Sequence, residues 1–154
     1  MQKVKAKIFY LPNYDLSAWG PMKYAHSTDS GFDVRACMET DITLLPQERR
    51  IIPLGIKLAP EEGYGYQVRA RSGNTIKLGL AIPNGVGTID NEYRGEVGII
   101  LINLSDKPVL IERGMRVGQI VVEPVYQFEF EEVQSEEELG ITSRPAGFGS
   151  TGVK

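Results

Sequence analysis

Tyr64-Gly65-Tyr66-Gln67-Val68-Arg69-Ala70-Arg71 alternates with a period of two. Side chains of an extended chain point to opposite faces in turn, so Tyr64, Tyr66, Val68 and Ala70 share one face while Gly65, Gln67, Arg69 and Arg71 share the other. That pattern specifies a strand with one face buried. Leu54, Ile56 and Leu58 repeat it upstream, and Val97-Gly98-Ile99-Ile100-Leu101-Ile102 reads as a more fully buried strand bounded by Gly95 and Asn103. Val109-Leu110-Ile111 and residues 117–122 supply two more strands. Clusters of Pro, Gly, Asn and Asp separate these runs, the spacing expected of an all-β sandwich or barrel. Short helices are expected after Arg71-Ser72-Gly73, to about Leu80, and at Ser135 to Leu139, where Ser135 and Glu138 have capping-box spacing and Gly140 can end the turn.

Its 154 residues suit one domain, and a hydrophobic share of 42% with a charged share of 24% is ordinary for a soluble globular chain. No apolar run of about 18 residues could span a bilayer, and the N-terminus lacks the pattern of a secretory signal, so a cytoplasmic protein without membrane partners is expected. The single cysteine, Cys37, excludes an internal disulfide and any cysteine cluster, and reads as a small hydrophobe in a strand. A net charge of −3 argues against direct nucleic-acid binding, which needs a basic face. Several converging arginines could still hold a small polyanion.

The densest chemistry lies in Pro83-Asn84-Gly85-Val86-Gly87-Thr88-Ile89-Asp90-Asn91-Glu92-Tyr93-Arg94-Gly95-Glu96. Asn84-Gly85 and Asp90-Asn91 are turn formers that predict a β-hairpin, but Glu92, Tyr93 and Arg94 are more than a turn needs. Alone, the segment reads as a solvated hairpin tip or as part of a site. His26 is the only histidine, so a histidine-based triad or a zinc site is nearly excluded and a general base has to be a carboxylate. Arg71-Ser72-Gly73 reads equally as a polar strand end or as an oxyanion site, and Asp33 as a strand-edge acid. Gln119 is a polar residue in an apolar strand. The tail Gly147-Phe148-Gly149-Ser150-Thr151-Gly152 has the glycine spacing of a phosphate loop without its lysine, and Phe148 suits a tail that closes over a flat ring.

In order along the chain, these segments resemble the five motifs of the homotrimeric dUTP diphosphatase (dUTPase) family. Gly31-Phe32-Asp33 matches the first and Arg71-Ser72-Gly73 the second. The third is matched by 87–96 with Asn84 upstream, the fourth contains Gln119, and Arg144 with 147–152 forms the fifth. Two features depart from the pattern: Asn74 stands where many members have leucine, and the Arg144-to-Phe148 interval is one residue short.

The resemblance implies a jelly-roll-like β-barrel or sandwich with one short helix, spanning residues 1–154 as one domain, with 141–154 a flexible C-terminal lid. It implies a homotrimer whose active sites draw on different subunits, and hydrolysis of dUTP to dUMP and pyrophosphate with Mg2+ as cofactor. Such an activity limits uracil incorporation into DNA and supplies dUMP for thymidylate synthesis. By the same resemblance Asp90 is the general base and Asp33 the metal contact, acting through water. Arg71, Ser72, Gln119 and Arg144 bind phosphate oxygens, and Gly73, Gly149 and Ser150 also contact the substrate. Asn84, Gly87, Thr88 and Ile89 read uracil, Tyr93 stacks on the deoxyribose and Phe148 covers the base. The rival readings are a dCTP deaminase and a non-catalytic trimeric binding module.

Overall fold

A computed structural model describes residues 2–142; Arg144, Phe148, Gly149, Ser150 and nearly all of the expected lid lie outside the described residues. The strands are β1 Ala6–Tyr10, β2 Gly31–Arg35, β3 Ile42–Leu44, β4 Arg49–Pro53, β5 Ile56–Pro60 and β6 Tyr64–Arg69. They continue with β7 Leu80–Ala81, β8 Gly87–Ile89, β9 Gly98–Asn103, β10 Val109–Ile111 and β11 Arg116–Pro124. Helical structure among the described residues is confined to single turns α1 Leu16–Trp19 and 3₁₀ Glu136–Leu139, and the seven-residue α2 Ser72–Leu78. The expected all-β, jelly-roll-like fold is what the chain adopts. No helix among the described residues is long and apolar enough to cross a membrane.

The largest sheet runs β2-β11-β6-β8, with every pairing antiparallel, and a second runs β4-β9-β7. β6 forms where alternation requires it, burying Tyr66 and Val68 and leaving Gln67 and Arg69 on the outer face. Val34, Val68 and Ile120 from the larger sheet meet Ile52, Ile99 and Leu101 from the other in one core. Each such side chain stabilises the fold by about 1.5–3 kcal/mol relative to its exposed state. Cys37 lies in this core just past the end of β2, its thiol donating to the Asn13 carbonyl at 3.3 Å, and burial raises its pKa.

Several local expectations change. β9 is buried only at alternate positions, Ile99, Leu101 and Asn103, because its other face opens away from the core. The turns at Asn84-Gly85 and Asp90-Asn91 form, with Gly85 N–H on the Ile82 carbonyl and Tyr93 N–H on the Asp90 carbonyl. The strand between them is not half of a local hairpin, however, since β8 pairs with β6. Ser135 makes no side-chain cap, although Gly140 ends its turn as expected. Gly79 ends α2 in the left-handed region at φ 69°, and a methyl there would fall 2.9 Å from Ser105, so the helix stops and the chain turns into β7.

Candidate active site

Two strand pairings build the first half of the site. Gln119 of β11 lies opposite Asp33 of β2 on one side and Arg69 of β6 on the other, so all three project from the outer face of the sheet. Arg71, two residues past the end of β6, is the extended residue that caps the start of α2, and its Nε donates to Asp33 Oδ1 at 2.8 Å. Arg116 completes the cluster, donating from Nη1 to Asp33 Oδ2 at 3.3 Å. The carboxylate thus holds two guanidinium groups at the edge of a cleft of about 460 Å³ that Arg35, Arg116 and Gln119 also line. Gln119 Nε2 donates to the Ala70 carbonyl at 3.0 Å, which fixes the amide beside the start of α2. Ser72 and Gly73 open that helix, and no side chain caps its first N–H groups. Positive charge exceeds negative here, as a polyanion site requires.

Arg116 was missed by sequence reasoning for a physical reason. Strict alternation puts 116 and 119 on opposite faces of a strand. A bulge shifts the register between Arg116 and Gly118, so that Arg116 pairs with Arg35 and joins Gln119 on the outer face. Gly118 accompanies it because a methyl there would lie 2.5 Å from Ile99 Cδ1.

The second half lies at the other edge of the same sheet. A cavity of about 230 Å³ is walled by Val68, Ile82, Ile99 and Ile100 and bordered by Asn84 and Gly87. Thr88 and Ile89 line it as well. Its walls are apolar while the β8 backbone and the Asn84 amide bring polar groups to its rim, the composition that suits a flat heterocycle. Asp90 is exposed at the end of β8, and Tyr93, 44% exposed, donates from its hydroxyl to the Glu96 carbonyl at 2.9 Å. Beneath them Tyr66 is buried, its hydroxyl without a hydrogen-bond partner among the described residues. Burial pushes that phenol up to about 12, Tyr93 adding to the shift and Arg94 opposing it.

The structure therefore unites Asp33, Arg71 and Gln119, and separately groups Asn84, Gly87, Thr88, Ile89, Asp90 and Tyr93. It does not join the two groups in one chain: β2 and β8 are three strands apart, about 14 Å at the usual inter-strand spacing. His26 lines the same cleft as Asp33 and Gln119, paired with Asp29 at 3.2 Å.

The family model for dUTPase matches residues 18–152. The chain belongs to the dUTPase family. The deoxyuridine 5'-triphosphate nucleotidohydrolase of Chlamydia felis is 49% identical over 133 residues, covering 86% of this chain and 90% of that protein. The protein of the same name from Fusobacterium nucleatum is 43% identical over 153 residues, 99% of each chain. Among solved dUTPases, a mutant from Staphylococcus bacteriophage 80alpha with dUpNHpp superposes with a TM-score of 0.78 at 25% identity, covering 97% of this chain and 99% of that one. A phage phi11 dUTPase mutant, in which a structural Mg(II) ion is coordinated, shares the fold with a TM-score of 0.74 at 23% identity, covering 86% and 99%.

Whether the dUTPase-like site fits a metal is decided by its donors. Among the described residues no three His, Cys, Asp or Glu side chains cluster as metal ligands. Asp33, with an arginine on each oxygen, cannot hold a cation by itself, but carboxylate lone pairs remain for metal-bound water. The donor set thus fits Mg2+ that arrives with phosphate oxygens supplying most of its ligands, and does not fit a metal caged by protein.

Proposed function

We infer that this chain hydrolyses dUTP to dUMP and pyrophosphate. The observation that carries the inference is the pairing, within a dUTPase-family chain, of an arginine-rich cleft around Asp33 and Gln119 with an apolar, amide-rimmed cavity behind Asn84. One suits a triphosphate and the other a uracil ring. Arg71 and Gln119 would bind phosphate oxygens, with Ser72 and the Gly73 N–H at the start of α2. Arg116 would share that charge, and Asp33 would hold the metal through water. Mg2+, when bound, supplies charge compensation on the triphosphate. Asp90 takes the proton of a water that attacks the α-phosphorus in line; the new P–O bond forms as the α,β-bridging bond breaks and pyrophosphate leaves. Asn84 and the Gly87-to-Ile89 backbone read the donor and acceptor edge of uracil, which cytosine would mispair. Tyr93 fills the space a 2′-hydroxyl would need.

Because the two halves stand at opposite edges of one sheet, we assign the working enzyme to a homotrimer in which the cleft of one subunit meets Asp90 and Tyr93 of another. The segment after β11 supports this assembly. Tyr126, Phe128 and Phe130 recur at a period of two and are 89%, 87% and 86% exposed, a face that calls for a neighbour. In this reading Arg144, Phe148, Gly149 and Ser150 close over the bound nucleotide, and the protein works in the cytoplasm, where the single thiol Cys37 fits a reducing compartment.

The test is pyrophosphate release with Mg2+ from dUTP beside dCTP, dTTP and UTP. Selective release from dUTP is expected, falling by about 10²–10⁴-fold in Asp90→Asn. Ammonia release from dCTP, or tight dUTP binding without turnover in the wild type, would overturn the reading.

A further inference from the structure

We propose that Asn91 is a positioning residue for Asp90. The proposal rests on Asp90 being the general base. Asn91 Nδ2 donates to three carbonyls of the turn that joins β5 to β6: Pro60 at 3.2 Å, Glu61 at 2.9 Å and Tyr64 at 2.7 Å. The amide is half-buried between the two turns. On the other side of the same residue, the Asn91 carbonyl accepts from Arg94 Nη1, which also donates to the Tyr93 carbonyl at 3.0 Å. Tyr93 N–H closes the turn on the Asp90 carbonyl at 3.2 Å. Asp90's own carboxylate has no hydrogen-bond partner among the described residues. Its direction is therefore set by its backbone alone, and that backbone is anchored through Asn91 to a turn outside the site.

A serine or alanine at this position would keep the turn's φ and ψ but lose the three-carbonyl clamp. A misplacement of about 1 Å at a reacting group costs on the order of 10²-fold in rate, whereas the phosphate and uracil contacts assigned above do not pass through Asn91. Asn91 should thus affect kcat and leave affinity alone.

The experiment measures kcat, KM and the affinity for α,β-imido-dUTP in full-length Asn91→Ala and Asn91→Ser, with native mass as a check on assembly. We expect kcat to fall about 10–100-fold in Asn91→Ala and less in Asn91→Ser, whose hydroxyl retains one donor, with analogue affinity within about twofold of wild type. Unchanged kcat in Asn91→Ala overturns the proposal, and so does a parallel loss of kcat and affinity, which is what general loosening of the turn would give. If Asn91→Ala fails to assemble, Asn91→Ser decides by the same criteria. Asp90→Asn is run in parallel: full turnover there refutes the general-base reading itself, whatever Asn91 does.

Discussion

Gly31→Ala tests how the sheet holds Gln119. A methyl at Gly31 would sit 2.8 Å from Gln119 Oε1, 3.1 Å from the Ile120 carbonyl oxygen and 3.1 Å from Val121 Cγ2. Ordinary contacts lie at 3.4–4 Å, so all three neighbours have to give. Gly31 cannot retreat, because it pairs with Val121 in the β2–β11 ladder. The partner with most freedom is the Gln119 side chain, since Ile120 presents backbone and Val121 a β-branched side chain, and rotating it breaks its 3.0 Å bond to the Ala70 carbonyl. Overpacking of this kind costs about 1–3 kcal/mol. For a chain of this length about 2 kcal/mol corresponds to a fall of roughly 6 °C in Tm. The displaced amide would also lose the phosphate contact proposed for it, so kcat/KM for dUTP should fall about 10–100-fold. Differential scanning fluorimetry and pyrophosphate release at 25 °C read both effects. The double variant Gly31→Ala/Gln119→Ala should regain part of the stability without regaining activity, since the tightest of the three contacts is relieved but the amide is gone. Wild-type kcat/KM in Gly31→Ala, or a double variant no more stable than the single, would refute the reasoning.

Gly73→Ala should behave in the opposite way: nothing lies within 4 Å of the added methyl, so α2 gains about 0.5–1 kcal/mol in denaturant titrations. In the proposed site the methyl would occupy substrate space, so KM for dUTP should rise; an unchanged KM would remove Gly73 from the site. Tyr66→Phe addresses the unpartnered phenol. An unfolded tyrosine titrates near 10 and Tyr66 is held at about 12. The neutral phenol therefore favours the fold fully below pH 10, and this stabilisation is lost as pH rises from about 10 through about 12, by on the order of 2 kcal/mol. At pH 7 Tyr66→Phe should match or exceed wild-type stability, and its stability should fall less between pH 9 and 11.5; parallel pH profiles would sink the argument.

Much of this protein was legible from short stretches. β6 follows from the alternation of 64–71, and the turns at Asn84-Gly85 and Asp90-Asn91 follow from side chains that tolerate tight backbone. Asp33, Arg71, Gln119, Asp90 and Tyr93 were each visible because their motifs are contiguous in the chain. Burial along β9 was overestimated, since a run of Ile and Leu does not reveal which face meets the core. The pairing of β8 with β6 was illegible too, because its partner lies some twenty residues away.

Sequence by itself determined β5, β6, β9, β10 and β11, the two turns and most of the reactive side chains, because these depend on neighbours within a few residues. Only tertiary structure decided which of them meet. Arg116 reaches Asp33 across 83 positions, and only because a bulge turns it to the outer face. Arg71 reaches the same carboxylate across 38 positions, and Asn91 reaches the Tyr64 carbonyl across 27. Long-range pairing fixed these contacts, and it set Asp33 and Asp90 at opposite edges of one sheet, because strand order is a property of the folded sheet and is written in no single segment.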